Sequence, residues 1–337
     1  MSRVLIIIPY LGGLNPFQQF CIRTLASIKE LRVALISDRV DEVRNFLESP
    51  VEVFDFLTHF DGSKVGIGGK EMLGHPYKLT DLKPFIDLTF PRIADGAPFV
   101  GFSDIDCVFN SDKLAELIRA IAEANARETI FGDRGHLMIF GDTAREVMQN
   151  GLFEIFERVR KHQQLNLFDP TRHFALDEFL FLHPVLDRLQ DCGRCTWNKD
   201  YFRPHLDLPY KRCIPLRREL AGRYLHSSPG ENRGNILRDN VYVHLQKRLV
   251  KMSQPDSEEL EDGLSFALNT DGTVSAGLQR TNFIPNENDF LLCIRYSLHL
   301  YWKLAKGRMK NHALRRRPHL STDLIAEVLQ GSESLAP

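Results

Sequence analysis

Two carboxylates separated by one residue, Asp104 and Asp106, follow an apolar run in PFVGFSDIDCVFN at residues 98–110. An apolar run that closes on a polar turn has the pattern of a buried strand. Residues i and i+2 of a strand share a face, so both carboxylates are expected side by side at the strand end, where like charges repel. A divalent cation relieves that repulsion, and hard carboxylate oxygens suit Mg2+ or Mn2+. The competing reading is two solvated aspartates in a turn, because Asp also favours turns.

Three further segments carry groups able to do chemistry. FALDEFLFL (174–182) sets Asp177 and Glu178 inside an apolar run. A carboxylate buried there without a partner is costly, so the pair either caps a buried helix or works in a pocket. VYVHLQKR (241–248) places His244 on an apolar strand, with Lys247 three residues on. Neutral imidazole can join carboxylates around Mn2+, and Lys neutralises phosphate as a point charge. A lone histidine in an apolar strand is otherwise a satisfied core residue. HPYKLTDLKPF (75–85) sets Lys78, Asp81 and Lys83 between apolar anchors, and on its own this reads as an ordinary surface row. Thr80 is expected to cap a short helix carrying Leu82, Phe85 and Ile86.

The elements that must position these groups alternate. RVLIIIP (3–9) is a continuous apolar run of the kind buried on both faces of a sheet. A glycine-containing turn follows, YLGGL at 10–14; then Asn15 reads as an N-cap and Pro16 as the first helical residue. Phe17, Phe20, Cys21, Leu25 and Ile28 form one helical stripe. Further strands are expected over 33–37, ending at Asp38, and over 51–57. Strand–helix–strand alternation of this kind points to a parallel α/β sheet. Ser111 opens an amphipathic helix. ETIFGDRGHLMIF (128–140) reads as two strands broken at Asp133 to Gly135. Separate helices are expected over 143–149 and 152–162, and a hairpin over 263–278 turns at Asp271-Gly272.

Composition removes several classes. The 337 residues carry 43 basic and 44 acidic side chains, so nothing global favours nucleic acid. Six cysteines in this length do not make a disulfide framework. Cys192 and Cys195 with Cys213 lack a fourth zinc ligand at motif spacing, His205 being a loose candidate. GSKVGIGGK (62–70) fails as a phosphate loop: Lys64 stands where the first glycine belongs, and Glu71 replaces the Ser or Thr. A mobile loop is expected there instead. The apolar stretch at 6–11 is too short for a signal sequence, which favours the cytoplasm. Tyr301 and Trp302 beside Lys303, Lys306, Arg308, Lys310 and Arg315 to Arg317 suit peripheral contact with the inner face of a membrane; a core element followed by a solvated basic tail reads equally simply.

Taken in order, IIIPYLGGLNPF (6–17), ALISD (34–38), PYKLTDLKPF (76–85), GFSDID (101–106), GHLMIF (135–140), LDEF (176–179) and YVHLQKR (242–248) resemble bacterial capsular and surface-polysaccharide glycosyltransferases of the type A fold. The resemblance spans the first 250 residues or so and excludes everything after about residue 253. It implies a mixed, mainly parallel sheet flanked by helices, and a nucleoside-diphosphate sugar as donor. Asp104 and Asp106 would bind the metal, with His244 completing the site. Tyr10, Asn15 and Asp38 would hold the nucleoside, and Lys78, Asp81, Lys83 and Lys247 would lie along the donor. His136 would face the sugar or the acceptor, and Asp177 and Glu178 would be the catalytic carboxylates. The acceptor would be a saccharide or a lipid-linked sugar. The segment 191–231 departs from any placeable pattern. The resulting division is a catalytic domain over 1–252, a C-terminal extension over 253–331 and a disordered tail over 332–337. Two other readings remain: a nucleotidyltransferase using the same carboxylates, and a non-catalytic nucleotide- or carbohydrate-binding module of the same fold.

Overall fold

The structure, a computed structural model, describes residues 3–46, 50–163, 166–174, 176, 181–207, 224–226, 236–245, 250–251, 265–268 and 274–276. The strands, in chain order, begin with β1 (Val4–Pro9), β2 (Leu31–Ser37), β3 (Glu52–Asp55), β4 (Phe99–Ser103) and β5 (Cys107–Phe109). They continue with β6 (Thr129–Arg134), β7 (Leu137–Gly141), β8 (Thr196–Asn198) and β9 (Leu206–Asp207). The last five are β10 (Tyr224–His226), β11 (Tyr242–His244), β12 (Val250–Lys251), β13 (Ser265–Leu268) and β14 (Val274–Ala276). Among the described residues the main sheet has the order β3-β2-β1-β4-β7-β6-β8. β1 to β4 are mutually parallel, whereas β7 runs antiparallel to both β4 and β6. The architecture is thus a mixed, mainly parallel α/β sheet with helices on its faces.

Both faces of the central strands are covered, which is why they read as unbroken apolar runs. Val4, Ile6 and Ile8 pack with Ile22 and Leu25 of helix Pro16–Ala26 and with Leu114, Ile118 and Ile121 of helix Ser111–Ala124. Leu5 and Ile7 face the other way, onto Phe56, Met72, Leu79 and Phe90. The period-two alternation of a strand therefore sorts one apolar run into two cores. Farther along the sheet, Met138 and Phe140 pack against Met148, Leu152 and Ile155 of helix Asp142–Gln163.

Local capping follows the expected chemistry at the first helix. The Asn15 side chain accepts from the Gln18 amide and the Gln18 side chain accepts from the Asn15 amide, a reciprocal box that satisfies two orphan donors. Asn110, rather than Ser111, caps the next long helix by accepting from the Lys113 amide.

Three expectations need correction. The two helices expected over 143–162 are one, Asp142–Gln163, with Gly151 inside it. An interior glycine costs about 1 kcal/mol relative to alanine, and the buried stripe of Met148, Leu152, Ile155 and Val159 outweighs that. The third strand stops at Asp55, whose carboxylate caps a helical turn by accepting from the Thr58 amide at 2.8 Å. Thr80 caps nothing: its hydroxyl donates back to the Tyr77 carbonyl at 2.8 Å. The loop expected over 62–70 is present up to the helix that begins at Gly69, and Val65 and Ile67 anchor it in the core. A Cβ on Gly62 would stand 1.7 Å from the Ile67 carbonyl oxygen, so close backbone approach explains that glycine.

Two smaller sheets complete the described residues. β11 runs antiparallel to β5 and parallel to β9, with His244 opposite Cys107. β10 pairs β13, β13 pairs β14 antiparallel as the hairpin reading expects, and β12 pairs β14. Strands from both sides of residue 252 share that sheet. The turn at 271–272, the basic segment from Tyr301 to Arg317 and the tail over 332–337 lie outside the described residues.

Candidate metal centre

In the main sheet, β1 leads to β2 and β3 on one side, while β4 adds on the other. Chain direction across the sheet therefore reverses between β1 and β4. In open α/β sheets ligands bind at the carboxyl ends of the strands flanking such a point. The loop after β1 begins at Tyr10, and the turn after β4 is Asp104 to Asp106.

The strand closes on a polar turn, as the spacing expects. β4 stops at Ser103, and the Asp104 amide donates to the His136 carbonyl at 2.8 Å, one step farther along the β4–β7 register. Tertiary pairing then brings the imidazoles to the carboxylates. The pairing of β11 with β5 brings His244 Nε2 to 3.3 Å from Asp106 Oδ1 and 3.9 Å from Asp104 Oδ2. The turn between β6 and β7 delivers His136, whose ring centroid lies 3.6 Å from that of His244 at a tilt of 40°. Potential ligand atoms of Asp104, His136 and His244 all lie within 4.8 Å of one another, as do those of Asp106, Cys107 and His244.

Lys83 braces the same point. Its ammonium, in a 6% exposed residue, donates to Asp104 Oδ1 at 2.7 Å and to the Gly135 carbonyl at 2.7 Å. With Oδ1 engaged by Lys83, it is Oδ2 of Asp104 that stands toward His244. Carboxylate oxygens and imidazole nitrogens from three chain segments converge here at nearly coordinating separations, a donor set that a divalent cation would fit.

The loop after β1 is tied to the end of β2. Asp38 Oδ1 accepts from the Gly12 amide at 2.7 Å, and the Tyr10 amide donates to the Ile36 carbonyl at 2.8 Å. Gly12 has φ +117°, a backbone conformation natural to glycine. The Tyr10 hydroxyl accepts from Gln18 Nε2 at 3.0 Å. Asp38 and Tyr10 thus shape the loop, and the Asn15 oxygen is committed to its helix cap.

Lys78 and Asp81 do not lie along an open surface. Both are sealed, at 1% and 0% exposure. Lys78 Nζ donates to Asp81 Oδ2 at 2.9 Å, to the Leu167 carbonyl at 2.6 Å and to the Arg172 carbonyl at 3.0 Å. Asp81 also accepts from the amides of Phe174 and Leu176, at 2.9 and 3.0 Å. An ammonium has three donors, and these three partners use them. The pair clamps the segment running from Leu167 to Leu176, leaving a donor nothing to contact. Asp177, Glu178 and Lys247 lie outside the described residues.

The cysteines sort by burial. Cys195 is buried, which pushes its thiol up to about 11. Cys21 is raised well above the usual thiol range by burial, with the nearby Asp106 charge adding to it. His205 stacks on Tyr242, ring centroids 4.8 Å apart and ring planes nearly parallel at 2°. Neither Cys192 nor Cys195 belongs to a potential metal-holding group among the described residues. Sequence reasoning missed Cys107 as a neighbour of the site and missed the Lys83–Asp104 contact. Adjacency in Asp106-Cys107 was a signal for the first; the second needed the fold.

A family model described as "Family of unknown function (DUF6625)" matches residues 6–213. The chain belongs to the DUF6625 family. The matched span of this DUF6625 chain takes in Asp38, Lys83, Asp104, Asp106 and His136 and ends before His244. No curated protein matches it. Among solved structures it is similar to S. aureus TarS, residues 1–349, determined in complex with UDP-GlcNAc. That similarity has 16% identity and a TM-score of 0.23, over 39% of this chain and 34% of the TarS chain. The DUF6625 chain thus spans about a third of the TarS chain that it matches.

Proposed function

We propose that this DUF6625 protein is a metal-dependent glycosyltransferase. It moves a sugar from a nucleoside-diphosphate sugar to a saccharide or lipid-linked acceptor in surface polysaccharide synthesis. The observation that carries the reading is the convergence of Asp104, Asp106, His136 and His244 where β1 and β4 part, the position at which an open α/β sheet takes its ligands.

Asp104, Asp106 and His244 hold Mn2+ or Mg2+. When bound, that ion offers a Lewis acid against the charge developing on the departing diphosphate. Lys83 orients Asp104 by occupying its other oxygen. Asp38 and Tyr10 hold the loop that begins at the end of β1 and thereby shape the nucleoside side of the cleft. Lys247 lies along the diphosphate, and Asp177 or Glu178 takes the proton of the attacking acceptor hydroxyl; these three assignments rest on the sequence resemblance. Among the described residues no helix is long and apolar enough to cross a membrane.

Calorimetry with a panel of nucleoside diphosphates and their sugars, with and without Mn2+, tests the reading. One nucleotide should bind at least about tenfold tighter with the metal, since Asp104, Asp106 and His244 would hold a cation whose charge offsets that of the phosphates. Slow hydrolysis of one donor sugar without acceptor, lost in Asp104→Asn, is the matching activity. Metal-dependent binding with no turnover on any donor favours a binding module. Equal affinity with and without metal overturns the proposal.

A further inference from the structure

His136 stands apart from the pair of carboxylates that attracts attention in sequence. It sits in the turn between β6 and β7, thirty residues beyond Asp106. Two ties bring that turn to the Asp104 turn. The Asp104 amide donates to the His136 carbonyl at 2.8 Å, and Lys83 joins Asp104 Oδ1 to the Gly135 carbonyl. The hairpin therefore cannot shift without disturbing Asp104. Its ring meets that of His244, itself only 7% exposed, at a centroid separation of 3.6 Å.

We infer that His136 is a direct metal ligand, and that the centre is built on Asp104 and two imidazoles, His136 and His244, with Asp106 beside His244, a set suited to a first-row transition ion and not to Mg2+. The inference rests on the metal-dependent reading above and narrows it. Ligands of one such ion, each bound at about 2.0–2.2 Å, stand about 3–4 Å from their neighbours. The observed 3.3 and 3.9 Å from His244 Nε2 to the two carboxylates already meet that, and the group containing His136 lies within 4.8 Å. A side-chain adjustment of about an ångström closes the remainder, within the reach of histidine χ rotations.

Ligand chemistry then decides the ion. Mg2+ demands oxygen ligands in near-ideal octahedral geometry and keeps several of its waters. Imidazole nitrogen is a poor replacement for those waters, whereas Mn2+, Fe2+, Co2+ and Zn2+ accept it increasingly well. Two imidazoles side by side move the site away from Mg2+. The Asp104 carboxylate keeps it hard enough for Mn2+.

Electron paramagnetic resonance of Mn2+ added to the intact protein reads this directly. Nitrogen modulation in the pulsed spectrum should report two imidazoles in the wild type and one in either His136→Gln or His244→Gln. Mn2+ affinity should fall at least about tenfold in His136→Gln, the lower end of what even an outer-shell loss costs. A hundredfold excess of Mg2+ should leave the wild-type Mn2+ signal in place. One imidazole coupling in the wild type, unchanged in His136→Gln, overturns the inference while leaving the metal-dependent reading intact. Displacement of Mn2+ by near-equal Mg2+ overturns the selectivity. No Mn2+ binding by the wild type overturns both. The wild-type coupling count needs no variant to fold.

Discussion

Two lysine–aspartate pairs begin within one eleven-residue stretch, and they have opposite natures. Lys78–Asp81 is an i,i+3 pair at 2.9 Å, with side chains 1% and 0% exposed. Lys83–Asp104 is a tertiary pair at 2.7 Å, with side chains 8% and 26% exposed. The first spends its remaining hydrogen bonds on backbone: two carbonyls and two amides of the segment between Leu167 and Leu176. The second leaves one oxygen of Asp104 turned toward His244. Burying both partners and saturating them makes a clamp. Leaving one partner half-open at the rim makes a site. Residue type does not separate the two; the backbone each pair meets does.

The largest effect expected from this contrast is on stability at the sealed pair. Asp81→Ala leaves a buried ammonium unpaired and the Phe174 and Leu176 amides without their acceptor. Breaking a buried pair from one side costs about 3–5 kcal/mol, readable by urea denaturation. Lys78→Met/Asp81→Asn removes both charges, keeps an acceptor for one amide, and should recover most of the loss. Metal binding by whatever fraction folds should be unchanged. If Asp81→Ala instead spares stability, the clamp is not one.

The rim pair should show the reverse division. Asp104→Asn should abolish most Mn2+ binding with little change in melting temperature. Lys83→Met should lower Mn2+ affinity about tenfold, as loss of a partner that orients a ligand does. The lysine's repulsion of the ion is the opposing term, but its charge is already engaged by the carboxylate it orients. Tighter Mn2+ binding in Lys83→Met would reverse that ranking and end the case for Lys83 as a positioning residue. A loss of stability as large as that of Asp81→Ala would erase the distinction between the pairs.

Much of this molecule is legible in its sequence where one chemical cause dominates. The strands β1 and β2 are uninterrupted apolar runs because both faces are covered, and Asn15-Pro16 marks a helix start by capping and fixed φ alone. Proximity of His244 to the carboxylates is what the resemblance implies, and the β5–β11 pairing supplies the contact. What spacing misjudged depends on partners distant in sequence. Lys78 and Asp81 read as a polar row because nothing local announces that a segment ninety residues on will enclose them. The turn at Asp104 to Asp106 is legible from the polar end of an apolar run, but the hydrogen bond from the Asp104 amide to the His136 carbonyl, which sets that turn beside the β6–β7 hairpin, is not. His136, given a sugar-facing role by resemblance, lies against His244 for a reason only the hairpin register contains.

The smallest expected effect is a pH dependence at the sealed pair. Burial lowers the Lys78 pKa from the ordinary 10.5, and the neighbouring Asp81 only partly opposes it. Between the lowered folded value and 10.5, the unfolded chain holds the lysine proton more fully than the folded one. Stability from this group therefore rises with pH through that window. Below the window the full cost of burying the ammonium is present; above it the lysine is neutral in both states and the cost is gone. Urea midpoints measured at pH 8, 9 and 10 for the wild type and for Lys78→Met/Asp81→Asn isolate the contribution, because the double variant lacks both titrating groups. The wild type should gain on the double variant as pH rises. A gap that stays flat or closes would mean that Asp81 and the two carbonyls compensate the buried charge in full, and the clamp would then be as well matched electrostatically as it is geometrically.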